Sequence, residues 1–253
     1  MNIAIIGAGH IGGTLAKHLT EAGHNVAIAN SRGPDTLRRM ESQLGDHARA
    51  VTAEQAAAFG DVVIVSIPFG HYTDLPIAGT AGKTVVDTTN YDPDRDGPIA
   101  ELDDGSTTSS ELMQRHLPQA AVIKAFNSMR WDHLRDYGHT GGALERYGMP
   151  VAGNDPQAKR EVEDLVEQLG FEPVDSGDLA RGGRRQQPGS PLFTADLTAE
   201  DMHARLDPEV PAKMSSQDWT DAAARARTSD DPRARTPRDR SGIPTTGTAP
   251  PRR

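Results

Sequence analysis

Residues 2–14 read NIAIIGAGHIGGT, with Gly7, Gly9 and Gly12 spaced as G-x-G-x-x-G. Glycines at this spacing suit one task above others, the holding of a dinucleotide pyrophosphate. Gly7 permits a tight turn after a strand. Gly9 puts no Cβ in the way of the pyrophosphate, and Gly12 lets a helix approach the sheet. Ala8, His10 and Ile11 fill the positions between them. The N–H groups at the start of that helix, with its positive dipole end, attract an anion. A glycine turn without a ligand is the alternative. The apolar run 3–6 before the glycines and the amphipathic run 14–19 after them are the strand and helix that the binding reading requires.

A dinucleotide site also needs an element that reads the adenosine ribose. Gly23 caps the first helix and residues 25–29 form a second apolar strand. A carboxylate at that strand end, about 20 residues past the glycines, would bond a 2′-hydroxyl and mark NAD. Asn30-Ser31-Arg32-Gly33-Pro34 stands there instead. Nothing acidic repels a 2′-phosphate. Ser31 offers a hydroxyl, and Arg32 a planar cation that grips phosphate bidentately. Arg38 and Arg39 open the next helix and can assist. The expected cofactor is therefore NADP, with Asn30, Ser31 and Arg32 among its contacts. A merely polar turn is the alternative.

The elements that position these residues alternate along the chain. Thr52 and Gln55 have the spacing of a capping box before 56–58. Strands are expected over 61–68, 83–90, 121–126, 149–153 and 171–175, with helices over 156–169 and 198–206. Near-continuous apolar strands between helices mean an α/β fold, a Rossmann-type doubly wound parallel sheet. Ligands lie across the carboxyl ends of such strands. Those ends carry Ser66, Ile67 and Pro68, then Asn90, then Asn127. The Ile67-Pro68 edge suits adenine or nicotinamide. Asn90 and Asn127 suit a carboxamide or the second substrate, or else they cap their own loops.

Composition bounds the remainder. The 253 residues carry a net charge of −9, which argues against general nucleic-acid binding. Zero cysteines exclude disulfides and thiolate ligands and fit a cytoplasmic location. No apolar run is long enough to span a membrane, and the chain opens on a strand rather than a signal peptide. From Thr228 onward there are six arginines, three aspartates and five prolines, but only Ile243 as a larger aliphatic. This tail cannot bury enough apolar surface to order itself. Residues 218–227 are alanine-rich and read as a transient helix.

The catalytic inventory is short: no metal-binding pair, no nucleophile elbow and no P-loop. His71, just after Ile67-Pro68, is the nearest candidate acid among nine histidines. No catalytic side chain is assigned, since hydride transfer between two rings demands positioning above all.

The stretches IAIIGAGHIGGTLAKHL, ANSRGPDTL, DVVIVSIPFGHY, VVDTTNY, VIKAFNSM and GFEPVDSGDLARGGRRQQPGSPLFT resemble the family of coenzyme F-420-dependent NADP oxidoreductases, over residues 1 to about 206. The resemblance implies a nucleotide-binding domain, a small C-terminal domain and a deazaflavin held between them. By position it places the cofactor clamp on 7–12 and on Ser31-Arg32. The chain departs from the family pattern at Ala8, Ile11 and Gly33-Pro34 and in its tail. A loop over 181–191 carries Arg181, Arg184 and Arg185 among glycines. It suits the phosphate and polyglutamate of F-420, or it is a surface loop.

The expected organisation is a NADP-binding domain over 1–128, a small α/β domain over 129–206 that completes the substrate cleft, and a disordered tail over 207–253. The expected function is hydride transfer between NADP(H) and F-420, with Asn127, Arg184 and Arg185 on the acceptor. NADPH-dependent reduction of an imine, carbonyl or flavin is the alternative enzyme, and a non-catalytic NADP sensor the alternative of another class. The expected partner is a small-molecule co-substrate, without metal, nucleic acid or membrane; a homodimer is compatible with this reading.

Overall fold

The computed structural model describes residues 1–138 and 146–206, so the expected tail and its transient helix lie outside the described residues. The first half contains β1 (Asn2–Ile6), α1 (His10–Glu21), β2 (Asn25–Ala29), α2 (Arg38–Leu44), β3 (Ala48–Ala50), α3 (Ala53–Phe59) and β4 (Val62–Val65). Then come α4 (Ile77–Thr80), β5 (Thr84–Asp87), α5 (Pro93–Asp96), α6 (Ala100–Asp103), α7 (Ser109–His116) and β6 (Ala121–Lys124). The last part holds α8 (Trp131–Asp136), β7 (Gly148–Gly153), α9 (Pro156–Gln168), β8 (Glu172–Gly177) and α10 (Ala199–Leu206).

All eight strands form one sheet in the order β3-β2-β1-β4-β5-β6-β7-β8. The first six are the doubly wound arrangement, with its crevice where the order reverses between β1 and β4. Strand side chains alternate between two cores. Ile3, Ile5, Ile28 and Ile64 pack with Leu15 and Leu19 of α1, Leu134 of α8 and Val162 of α9. Ala4, Ile6, Val63 and Val65 pack on the other face with Ala56 of α3 and Met113 of α7. Two buried faces explain why these strands read as unbroken apolar runs. The capping box at Thr52 and Gln55 forms, and Thr108 with Glu111 makes a second at α7.

Two features differ from the sequence expectation. β7 runs antiparallel to β6, pairing Ile123 with Gly153 and Lys124 with Ala152, whereas β8 is parallel to β7. The sheet is thus mixed at this side. An apolar run reveals that a strand is buried but not which way it points. The second difference recurs three times: residues 66–68, 88–90 and 125–126 were expected in strands, yet β4, β5 and β6 stop at Val65, Asp87 and Lys124. The trimmed residues turn out of the sheet at its carboxyl edge, where the candidate site lies.

Candidate functional site

The glycine loop is built from backbone. Gly7 leaves β1 with φ +112°, and a Cβ there would drive into the Ser66 carbonyl. A Cβ on Gly12 would drive into the carbonyl of Gly7. Gly7 and Gly12 are therefore demanded by the protein's own packing. Gly9 is not. Its φ of −78° and ψ of −162° suit any residue, and an added Cβ would meet nothing within 4 Å. Gly9 and His10 are exposed at the mouth of the crevice, and α1 begins there with no side-chain cap and no acidic residue in its first turn. That open backbone fits a pyrophosphate. Ala8 and Ile11 are half-buried behind it, against the core.

At the end of β2 the Asn30 side chain organises its own loop. Its Nδ2 donates to Thr36 Oγ1 at 2.9 Å, and its Oδ1 accepts from the Arg32 N–H at 3.0 Å. This leaves Ser31 and Arg32 facing solvent. Among the described residues the Arg32 guanidinium has no hydrogen-bond or ion-pair partner. Arg38 is instead engaged by Asp35 at 2.6 Å. Arg32 is thus an available cation beside the loop, as a 2′-phosphate would need. At the end of β4, the Ser66 N–H donates to Ile6 at 2.8 Å, Ile67 is half-buried and Pro68 is exposed.

The ends of β5 and β6 are built from side chains. Asp87 and Lys124 stand opposite each other in register, both fully buried, with Nζ 3.3 Å from Oδ2. Lys124 Nζ also donates to the Thr89 carbonyl at 2.9 Å. Asp87 accepts from Thr89 N–H at 2.8 Å, Thr89 Oγ1 at 2.6 Å and Ser110 Oγ at 2.6 Å. This network fixes the turn that carries Asn90. Asn90 Nδ2 donates to the Asn127 carbonyl at 3.0 Å. Asn127 Nδ2 donates to Asn90 Oδ1 at 3.1 Å and to the Gln186 carbonyl at 2.8 Å. Between Lys124 and Asn127, buried Phe126 holds a φ of +59°, a region costly for a residue with a Cβ. The strain turns the chain so that Asn127 meets Asn90.

Beside this pair lies a cleft of about 430 Å³, lined by Asn90, Tyr91, Pro93, Arg95, Pro188 and Phe193 among others. Arg95 donates to Asn90 O at 2.6 Å and grips the almost fully buried Asp96 carboxylate at 2.8 Å through both Nε and Nη2. The guanidinium holds the Asp96 carboxyl below the usual carboxylate range. The wall of rings and prolines suits a flat, largely apolar ligand.

The remaining sequence candidates fall elsewhere. His71 is 68% exposed and pairs with Asp74 at 3.0 Å. Arg184 Nη2 donates to the Thr107 carbonyl at 3.4 Å, and Arg185 Nη1 to the Arg205 carbonyl at 2.9 Å. Gly182 and Gly183 pack against the backbones of Ser176 and Leu179. The loop over 181–191 is therefore stitched to its surroundings, and its contact with the Asn127 pair runs through the Gln186 carbonyl. Sequence reading missed Asp87, Lys124 and Arg95. The signal for the first two was a pair of opposite charges, each at the carboxyl end of an apolar strand. Arg95 carried no pattern.

Residues 2–91 match the family model described as NADP oxidoreductase, coenzyme F-420-dependent. A hypothetical protein from Sinorhizobium meliloti, SMa0349, is 36% identical with a TM-score of 0.69, over 78% of this chain and 95% of that one. A proposed F-420-dependent NADP reductase from Arthrobacter sp. is 30% identical with a TM-score of 0.61, over 72% of this chain and 88% of that one. Metalloreductase STEAP3 of Rattus norvegicus is 26% identical over 70% of this chain, which spans 34% of that relative's length. Among the described residues no helix is long and apolar enough to cross a membrane. The fold, the matched model and the structural relative place the chain in one family: it belongs to the coenzyme F-420-dependent NADP oxidoreductases.

Proposed function

We propose that this NADP oxidoreductase exchanges a hydride between NADP(H), bound across the β1/β4 crevice, and the deazaflavin ring of F-420, held in the cleft beside Asn90. The observation that carries this reading is the side-by-side placement of two unlike sites on one sheet edge: the open backbone at Gly9 with the available Arg32, and the ring-lined cleft. Bound NADPH supplies the hydride. The chain's own residues do the positioning. Gly9 and the first amides of α1 receive the pyrophosphate, Ser31 and Arg32 the 2′-phosphate, and Ile67-Pro68 a ring face. Asn90 and Asn127, locked on each other and on Gln186, offer a rigid polar edge at the reacting end. Rigidity matters because hydride transfer is acutely sensitive to the separation of donor and acceptor carbons.

A second reading has an observation of its own. Arg184 and Arg185 spend hydrogen bonds on backbone carbonyls instead of forming an open anion cradle, which favours a flat acceptor without a polyanionic tail. Steady-state oxidation of NADPH with F-420, FMN and a cyclic imine separates the readings. Turnover with F-420 supports the first. Turnover confined to the other acceptors moves the assignment to the second, and tight NADPH binding without turnover leaves a sensor.

A further inference from the structure

Two helices that pack on one another begin at the carboxyl edge of the sheet. α1 leaves the glycine loop at His10, and α8 leaves the turn after β6 at Trp131. Side chains on a helix tilt toward its N-terminus. The first ring of each helix therefore leans past the helix end, over the edge where the crevice opens. There the rings meet: His10 and Trp131 stack with centroids 4.7 Å and planes 19° apart.

The indole is also open to solvent. Trp131 is 37% exposed, and the other exposed large apolar side chains among the described residues are Met1 and Ile77. Met1 precedes β1 and Ile77 opens α4, which leads into the start of β5, so both lie toward the amino edge. Among the described residues neither the indole Nε1–H nor the imidazole nitrogens of His10 have a hydrogen-bond partner. The helix behind the indole is held firmly. Leu134 is buried with Leu15 and Leu19 of α1. His133 Nδ1 lies 2.7 Å from Asp196 Oδ2. The segment that delivers Asp196 has φ +50° at Thr194 and +40° at Asp196, and its Thr194 N–H donates to the Ser128 carbonyl at 2.6 Å. A ring fixed from behind, open in front and stacked on the glycine loop is placed to meet what that loop binds.

We propose that Trp131 is a positioning residue for the nucleotide: its ring and that of His10 form a wall beside the pyrophosphate. This inference rests on the NADP site proposed above. Gly9 and the first amides of α1 donate to the phosphates, and the indole Nε1–H adds a donor from a second helix. No bond forms or breaks in this contact. Trp131 lies beyond the expected domain boundary at residue 128, so the later part of the chain would complete a site that the first part begins. The pyrophosphate is common to NADPH and NADH, whereas the 2′-phosphate is not. A residue on the pyrophosphate must therefore act on both nucleotides alike, unlike Arg32.

Calorimetric titration of the full chain with NADPH and NADH tests this. Trp131→Ala should raise both Kd values about tenfold, as loss of a hydrogen bond to a charged group would give, with the melting temperature unchanged. Trp131→Phe keeps a stacking ring without its N–H and should fall between. The chain has two tryptophans, so in a Trp219→Phe background the native Trp131 is the sole indole, and this measurement stands even if the alanine variant does not fold. Its emission should fall on saturation with NADP⁺, which does not absorb at that emission, so the loss reports contact rather than energy transfer. Unaltered Kd values in the folded alanine variant, a loss confined to NADPH, or emission indifferent to NADP⁺ would overturn the assignment and leave the NADP reading standing. A wild type that binds neither nucleotide overturns that reading, and the role of Trp131 with it.

Discussion

The two halves of the carboxyl edge solve opposite problems. At β1 and β2 the site is made of backbone: close-packed glycines, open amides, and an Arg32 side chain with no partner among the described residues. At β5 and β6 it is made of side chains already bonded to one another, the Asp87–Lys124 pair and the Asn90–Asn127–Gln186 chain. A dinucleotide is a constant ligand, and its phosphates can be met by the N–H groups every chain possesses. On the proposed reading the acceptor ring has few charges to grip, and its site is a shaped, rigid wall. That demands side chains that hold one another, and here two buried acceptors, Asn127 Oδ1 and Gln186 Oε1, still have no partner among the described residues.

Substitution at the glycines exposes the contrast most sharply. Gly12→Ala forces a Cβ into the Gly7 carbonyl and should abolish NADPH binding with a large loss of melting temperature. The Cβ of Gly9→Ala meets nothing within 4 Å among the described residues. It should leave melting unchanged and weaken NADPH at least tenfold by calorimetric titration. Equal melting losses at both positions would erase the distinction between packing and ligand glycines.

On the side-chain half, Lys124→Met leaves Asp87 buried without its cation. The expected cost is about 3–5 kcal/mol in urea unfolding, and a change under about 1 kcal/mol would mean that the hydroxyl and amide donors suffice. Arg32→Ala should weaken NADPH ten- to a hundredfold, since a charge-assisted contact is worth about 1.5–3 kcal/mol, and should leave NADH almost untouched. Equal losses would remove the 2′-phosphate from this position. Asn127→Ala deprives Asn90 Oδ1 and the Gln186 carbonyl of a donor. The acceptor's KM should rise severalfold and that of NADPH little. Smallest of all, Arg184→Ser breaks one long bond to Thr107 and should shift the acceptor's KM less than twofold. A severalfold rise that shrinks with added salt would return the basic loop to the site.

Much of the fold was legible because its causes are local. Apolar runs with two buried faces, glycines at turns and the Thr52–Gln55 box each leave a signature within a few residues. Strand ends were overread because Ser66, Thr88 and Ala125 are compatible with a strand, and only the tertiary networks pull them out. His71 drew attention through its nearness in sequence to Pro68, whereas Trp131 became notable only through its stack on His10.

By itself the sequence determined the doubly wound core, the glycine loop and the absence of an acid at the β2 end, since all three depend on residue type and short spacing. Tertiary structure decided the reversed β7, the pairing of Asp87 with Lys124, the cleft between residues 90–95 and 188–193, and the strained segment that brings Asp196 to His133. Those depend on long-range closure, where the energy of a contact comes from burial and geometry that no stretch of sequence carries alone.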